Sequence, residues 1–164
     1  MENAVMTEKV ISAATKQKKR ELCDLGIYIH IPFCAKKCDY CDFLSAPADS
    51  ETKISYKKAL ITQIESYHGR TGGYQVPTIF IGGGTPSCLE ANDIEEIMAA
   101  VARTFSLDKK RLEATIEVNP GILSAEKLSV YKRAGINRLS FGLQSADDKE
   151  LKLLGRIHSY DQFL

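Results

Sequence analysis

The feature that most constrains the fold is a fourfold alternation between short apolar runs and amphipathic stretches. Apolar runs rich in β-branched and aromatic residues occupy positions 25–31, 77–81, 112–118 and 136–143. Runs of this length and composition are typical of buried strands. Each is followed by apolar residues at helical spacing, and strands that alternate with helices favour a parallel sheet with helical crossovers. We therefore predict an α/β fold of about four βα units.

The amphipathic stretches indicate the helices of these units. Helices are predicted at residues 52–68, 92–105, 124–134 and 147–154. Asn92 with Glu95 forms a capping pair, and Ser124 is predicted to cap the third helix. Repeated βα units of this kind form a TIM-like barrel, here an incomplete one. In such barrels, ligands bind at the carboxyl ends of the strands.

Three cysteines lie within eight residues, in the loop after the first strand: Cys34, Cys38 and Cys41. Three thiolates can hold a 4Fe-4S cluster whose fourth iron stays open to another ligand. A zinc site needs four protein ligands, and a chance group of buried thiols is a third interpretation. The spacing differs from the paired CxxC pattern of zinc sites, which favours the cluster. For zinc, the candidate fourth ligands are Cys23, Cys88 and His30.

Other chemically informative residues follow the remaining predicted strands. Residues 82–86 read Gly-Gly-Gly-Thr-Pro, a loop whose backbone can approach a ligand and offer amide donors, although it also suits a tight turn. Glu117 lies at the end of the third strand, where a buried carboxylate needs a partner. Gln144 follows the fourth strand. The sequence therefore predicts that these residues and the cysteine loop share one rim.

Composition narrows the class of protein. Of the 164 residues, 44% are apolar and 26% charged, and the net charge is +1, so neither nucleic acid nor an anionic membrane surface is favoured as a partner. We find no apolar stretch near the roughly 20 residues of a spanning helix. The five clustered cysteines indicate a reducing compartment, and we predict a cytoplasmic protein. Residues 1–24, polar and Lys-rich, are predicted to be a flexible lead-in to a folded domain at 25–164.

Taken together, the motifs YIHIPFCxxxCxYCxF, GGGTP, IEVNP, NRLSFGLQS and LGRIH resemble the radical S-adenosylmethionine (SAM) superfamily. Within it they resemble the oxygen-independent coproporphyrinogen III oxidase-like family. The resemblance implies a 4Fe-4S cluster on the three cysteines, with SAM on the open iron. It also implies that a reduced cluster can cleave SAM to a 5′-deoxyadenosyl radical, which requires an electron donor.

The same resemblance implies which residues contact SAM. Tyr28 and Tyr40 are expected beside it, and Gly83, Gly84 and Thr85 at its methionyl amino end. Its other polar groups are expected to meet Glu117, Gln144 and Arg156. For Arg156 the alternative is a solvated arginine at a helix end.

Position 43 separates two branches of this family. Coproporphyrinogen III dehydrogenases carry a further cysteine there, in a CxxxCxxCxC pattern, whereas this chain has Phe43. The CxxxCxxCxF form resembles the haem chaperone branch, whose members bind haem and transfer it to apoproteins. We therefore predict a haem chaperone, with the dehydrogenase and a zinc-stapled module as alternatives. Members of the family are more than twice as long, so residues 25–164 are expected to be the N-terminal portion of a radical SAM core domain, without its C-terminal remainder.

Overall fold

The computed structural model describes residues 22–164, and most of the predicted flexible lead-in, residues 1–24, lies outside this range. Cys23 and Asp24, the last two residues of the predicted lead-in, already belong to the first strand. Cys23 pairs with Tyr74, and its amide donates to the carbonyl of Gly73 at 3.0 Å. The prediction that the strand begins at Leu25 was therefore wrong by two residues.

Four parallel strands form one sheet and confirm the predicted α/β partial barrel. Neighbouring strands in the sheet are also consecutive in the chain. The register aligns Ile29 with Ile81, Ile81 with Ile116, and Ile116 with Leu139. The strands are β1 (Cys23–Ile31), β2 (Tyr74–Gly83), β3 (Glu113–Val118) and β4 (Arg138–Phe141).

Helices connect the strands, with starts set by local capping. Asp49 accepts a hydrogen bond from the amide of Thr52 at 2.8 Å, which begins the first helix two residues earlier than predicted. The predicted cap of Ser124 is confirmed by its bond from the amide of Lys127 at 3.2 Å. The helices are α1 (Ser50–Glu65), α2 (Ala91–Thr104), α3 (Ala125–Arg133), α4 (Asp148–Leu153) and α5 (Tyr160–Phe163).

The predicted capping pair of Asn92 and Glu95 is wrong. Helix α2 begins at Ala91, and Glu90 occupies the cap position without a side-chain hydrogen bond. The carbonyl of Glu90 accepts from the amide of Ile94, which places Asn92 inside the first turn. The first helical hydrogen bond therefore starts before the residue that the capping pattern selected.

Strand β4 is shorter than the predicted run at residues 136–143. Before it, the side chain of Asn137 accepts from the amide of Ala114 at 2.9 Å and donates to the carbonyl of Leu112 at 2.8 Å, while its backbone amide donates to the carbonyl of Ala114 at 3.0 Å. After it, Gln144 has a left-handed backbone with φ of 73°, which turns the chain away from the sheet. Because Gln144 is not a glycine, this conformation carries local strain, as residues at functional sites often do.

The two faces of the sheet differ in character. One is buried beneath the helices, where Ile31, Ile81 and Ile116 are fully inaccessible and pack with residues of α2 such as Ile94. The other, called here the inner face, carries the alternate residues along the same strands. The hydrophobic core therefore lies between sheet and helices, and the inner face is left for other side chains. No helix within residues 22–164 is long and apolar enough to cross a membrane.

Candidate cluster and cofactor site

A cavity of about 390 Å³ opens at the carboxyl ends of the strands, where the sequence predicted a shared rim. It is lined by the cysteine loop, the glycine loop, the ends of β3 and β4, and the turn after α4. All but two of the predicted site residues line it: Cys34, Cys38, Tyr40, Cys41, Gly84, Thr85, Glu117, Gln144 and Arg156.

The cysteine loop is tied to its own base. The amide of Cys34 donates to the carbonyl of Ala46 at 3.1 Å, which closes the loop where it leaves β1. Inside it, the ammonium of Lys37 donates to the carbonyls of Phe43 and Ser45. These bonds satisfy backbone acceptors in a segment without regular structure, and they hold the loop that carries the three thiols against the cavity.

The glycine loop lies directly against the end of β1. The amide of Gly84 donates to the carbonyl of Ile31 at 2.8 Å, and that of Thr85 to the carbonyl of Phe33 at 2.7 Å. A Cβ atom on Gly84 would lie 2.6 Å from the carbonyl oxygen of Phe33 and 2.9 Å from Sγ of Cys34. Only glycine permits this approach, so the glycine loop brings its backbone close to Cys34 in addition to turning the chain.

Glu117 finds its partner in the glycine loop. Its Oε2 accepts from the amide of Gly83 at 3.0 Å, and a Cβ on Gly82 would lie 2.9 Å from the same oxygen. The expectation that this carboxylate needs a partner is therefore met by a backbone donor. Gly83 has φ of 122°, which is accessible to glycine and strained for other residues. Its amide supports Glu117, and it is Glu117 that lines the cavity.

Tyr28 lies on the inner face of β1, below the cavity. Its hydroxyl is 3.0 Å from Nδ1 of His30, and its ring stacks on Phe80 with a centroid distance of 6.2 Å. Burial raises the pKa of Tyr28, and the negative charge of Glu117 adds to that rise. Nε2 of His30 is buried and has no partner among residues 22–164. Only one of the two ring nitrogens of His30 therefore has a hydrogen-bond partner within the described residues.

Arg156 reaches into the cavity, contrary to the alternative of a solvated arginine. Its Nη1 lies 3.4 Å from Sγ of Cys38 and 3.5 Å from the hydroxyl of Tyr40, and its Nη2 donates to the carbonyl of Gly142. Burial raises the pKa of Tyr40, and the nearby guanidinium of Arg156 partly opposes that rise. A cation therefore stands beside one of the three thiols.

Sequence reasoning missed a buried network behind the glycine loop. The ammonium of Lys127 donates to the carbonyls of Ser87 at 2.8 Å and Leu89 at 3.1 Å. The hydroxyl of fully buried Ser87 accepts from the amide of Asn119 at 3.1 Å, at the end of β3. The network ties the segment after the glycines to the next strand. Neither periodicity nor a short motif marks these residues.

Two further cysteines lie apart from the three in the loop. Cys88, in a short 3₁₀ turn after the glycine loop, is half-buried, and burial raises the pKa of its thiol. Cys23 is exposed at the opposite end of β1. Within residues 22–164, no three His, Cys, Asp or Glu side chains surround a single point as ligands of one metal ion. A cubane cluster distributes its thiolates over different irons.

Residues 28–164 match the radical SAM superfamily. This match covers most of the chain, and the partial barrel with cysteines at its carboxyl rim agrees with it. The chain therefore belongs to the radical SAM superfamily.

Curated relatives narrow the resemblance further. The chain is 42% identical to the heme chaperone HemW of Bacillus subtilis over 131 residues, covering 80% of this chain and 35% of that protein. It is also 42% identical to HemW of Escherichia coli over 135 residues, covering 82% and 35%. Bos taurus radical S-adenosyl methionine domain-containing protein 1, mitochondrial, is 38% identical over 82% of this chain and 30% of its own length. This chain thus spans about a third of the length of these relatives.

A solved structure supports the same fold. Coproporphyrinogen III oxidase (HemN) from Escherichia coli, described as a radical SAM enzyme, superimposes with a TM-score of 0.77 at 27% identity. The superposition covers 86% of this chain and 32% of the enzyme. The four βα units therefore correspond to about a third of that structure.

Proposed function

We propose that this chain forms the cluster- and SAM-binding part of a haem chaperone. The observation that carries the proposal is the single cavity in which three thiols meet a close-packed glycine loop, an acidic side chain and an arginine. Similarity to heme chaperones HemW at 36–42% identity supports the chaperone over other members of the superfamily.

The residues present fit a 4Fe-4S cluster. Cys34, Cys38 and Cys41 would each bind one iron through a soft thiolate, leaving the fourth iron open. The hydroxyl of Thr85 lies 3.6 Å from Sγ of Cys34, and Arg156 lies beside Cys38, so two of the ligand sulfurs have neighbouring donors. Donors of this kind stabilise the negative charge of thiolate ligands.

The opposite side of the cavity fits the polar end of SAM. The carboxylate of Glu117 suits the ammonium of the methionyl group, while Gln144 and the guanidinium of Arg156 offer donors to its carboxylate. Gly84 and Thr85 would border the amino end, and Tyr40 offers an aromatic wall. We include Tyr28 and Gly83 as supporting residues, through their contacts with His30 and Glu117. When bound to a reduced cluster, SAM supplies radical chemistry.

Haem is the proposed cargo, and an apoprotein its recipient. Phe43 stands where the dehydrogenase branch carries a further cysteine, is 69% exposed, and lines the mouth of the cavity. An apolar aromatic there removes a thiol from the site and suits contact with a flat, apolar ligand. We place this function in the cytoplasm because all five cysteines are free and three of them are clustered. An electron donor is a further partner wherever radical chemistry occurs.

The second candidate is coproporphyrinogen III dehydrogenase. The superposition on HemN, with a TM-score of 0.77, favours it. Phe43 argues against it, because the chain lacks the additional thiol of that branch. A zinc-stapled module is the third candidate, and metal analysis separates it from the other two.

The test begins with anaerobic reconstitution of the chain with iron and sulfide. Electron paramagnetic resonance of the dithionite-reduced protein, with and without SAM, should show a cubane signal that changes when SAM is added. In the whole haem chaperone of which we propose this chain to be a part, hemin should bind with a shifted absorbance band and pass to apomyoglobin, and coproporphyrinogen III should release no carbon dioxide. One zinc without sulfide would support the structural module, and carbon dioxide release would support the dehydrogenase.

A further inference from the structure

Arg156 makes a contact that binding of SAM does not require. Its Nη1 lies 3.4 Å from Sγ of Cys38, within reach for a hydrogen bond to sulfur. The other arm of the fork, Nη2, donates to the carbonyl of Gly142. A Cβ on Gly142 would lie 3.2 Å from this Nη2, so a glycine at that position leaves room for the guanidinium. The planar fork is thus held at both ends, which a flexible ammonium cannot reproduce.

The backbone before Arg156 is fixed to the cysteine loop by separate contacts. The amide of Asp39, the residue after Cys38, donates to the carbonyl of Leu154 at 3.4 Å. The Asp39 carboxylate packs against Gly155, where a Cβ would lie 2.8 Å from Oδ2, and Gly155 has φ of 70°. The distance between Arg156 and Cys38 is therefore set by the docking of two backbone segments as well as by the side chain.

A fixed cation beside a ligand sulfur has a definite consequence for an iron-sulfur cluster. Reduction adds one negative charge, which spreads over the irons and their sulfur ligands. A positive charge and a hydrogen bond at sulfur stabilise the reduced form more than the oxidised form. The potential for reduction is thereby raised, and a weaker donor can then deliver the electron.

We propose that Arg156 is a positioning residue for the cluster, and that its hydrogen bond to Sγ of Cys38 raises the reduction potential. The inference rests on the proposed function, since it requires a cluster on Cys38. It is additional to the contact of Arg156 with SAM. The two roles separate experimentally because the potential is measured in the absence of SAM.

The experiment is a redox titration, followed by electron paramagnetic resonance, of the reconstituted chain without SAM. Arg156→Gln removes the charge, Arg156→Lys keeps the charge and loses the fork, and Arg138→Gln is the matched control. Arg138 lies on β4 and pairs with Glu113 at 3.1 Å, at the opposite end of these strands from the rim. Iron and sulfide are counted in every sample.

Because the hydrogen bond and the positive charge favour the reduced cluster, Arg156→Gln should lower the ratio of reduced to oxidised cluster at a fixed potential by roughly tenfold. Arg156→Lys should recover part of this loss, and Arg138→Gln should match the wild type. If Arg156→Gln binds less iron than the wild type, the reduction potential of Arg156→Lys is compared with that of the wild type instead.

Unchanged potentials in both Arg156 variants, with a wild-type iron content, would overturn the inference. An unchanged potential combined with a weaker response to SAM would overturn it too, by assigning Arg156 to SAM alone. Failure of the wild-type chain to assemble any cluster would instead refute the proposed function, which keeps the two failures distinguishable.

Discussion

The two faces of the sheet use the same strands for different purposes. On the helix face, Ile31 and Ile81 are inaccessible to solvent and join a continuous apolar core. On the inner face, their neighbours His30 and Phe80 are only partly buried, and Tyr28, whose ring stacks on Phe80, is 59% exposed. Because side chains alternate along a strand, residues that pack in the core alternate with residues that point to the inner face. Stability and function are thereby separable by single substitutions.

The two ends of the sheet differ as sharply as its faces. The amino ends of the strands carry ordinary surface contacts, such as the pair between Asp24 and Arg111 at 2.6 Å. At the carboxyl ends, the loops contribute residues to the lining of one cavity, because parallel strands end on the same side. Cys23, at the amino end of β1, is therefore remote from the cavity, whereas the three cysteines of the loop after β1 line it.

The largest difference in cluster binding should come from replacing a cysteine by alanine at each of these two ends. Cys38→Ala removes one of three proposed cluster ligands and should abolish iron and sulfide binding, with little change in unfolding midpoint. Cys23→Ala, at the far end of β1, should leave both unchanged. Iron and sulfide analysis after anaerobic reconstitution measures the difference. Equal loss of iron in the two variants would contradict the choice of ligands.

A second pair tests the two faces at adjacent positions of β2. Ile81→Ala opens a cavity in the core and should cost about 2 to 5 kcal/mol in the free energy of unfolding. Phe80→Ala removes a half-buried ring and should cost less. The stacking of this ring on Tyr28 contributes roughly 0.5 to 1.5 kcal/mol beyond the contribution of the apolar area that the ring buries. Urea unfolding of the chain, followed by circular dichroism, compares them. A larger loss for Phe80→Ala would mean that the inner face is part of the core.

A third substitution should alter ligand binding with little effect on folding. In Glu117→Gln the side-chain oxygen can still accept from the amide of Gly83, but the negative charge facing the cavity is lost. Loss of one charge-assisted hydrogen bond should weaken SAM binding by roughly tenfold. Calorimetric titration of SAM into the reconstituted chain measures this. Glu113→Gln, an exposed carboxylate earlier on β3, is the control and should bind SAM as the wild type does.

The contrast also shows what sequence reasoning can reach. The strands were predictable because an apolar run is a local property of the sequence. The shared rim was predictable because strands that alternate with helices run parallel and therefore end on the same side of the sheet. The contact of Arg156 with Cys38 joins residues 118 positions apart, and no local pattern reports it. The same holds for Lys127 and Ser87. Asn92 shows the opposite error, a local capping pattern overruled when the helix began one residue earlier.

The smallest expected effect concerns His158, which packs behind the site. It is 5% exposed, and its Nε2 lies 3.3 Å from the carbonyl of Leu143. Its Nδ1 finds no partner within residues 22–164. Burial lowers the pKa of His158 below its ordinary value of 6.5, and the charge of Arg156 lowers it further. The neutral ring is therefore the form that the fold accepts.

The sign of the pH dependence follows from this shift. Below about pH 6.5 the unfolded chain binds a proton that the folded chain resists, so stability is lost as the pH falls towards the lowered pKa. One such group changes the free energy of unfolding by at most about 1.4 kcal/mol per pH unit. His158→Gln keeps a donor for the carbonyl of Leu143 and should flatten the decline between about pH 7.5 and pH 5.5 in urea unfolding. His68→Gln, at an exposed histidine, is the control and should leave this decline as it is in the wild type. If the stability of His158→Gln declined with pH in parallel with that of the wild type, the ring of His158 would not be held neutral.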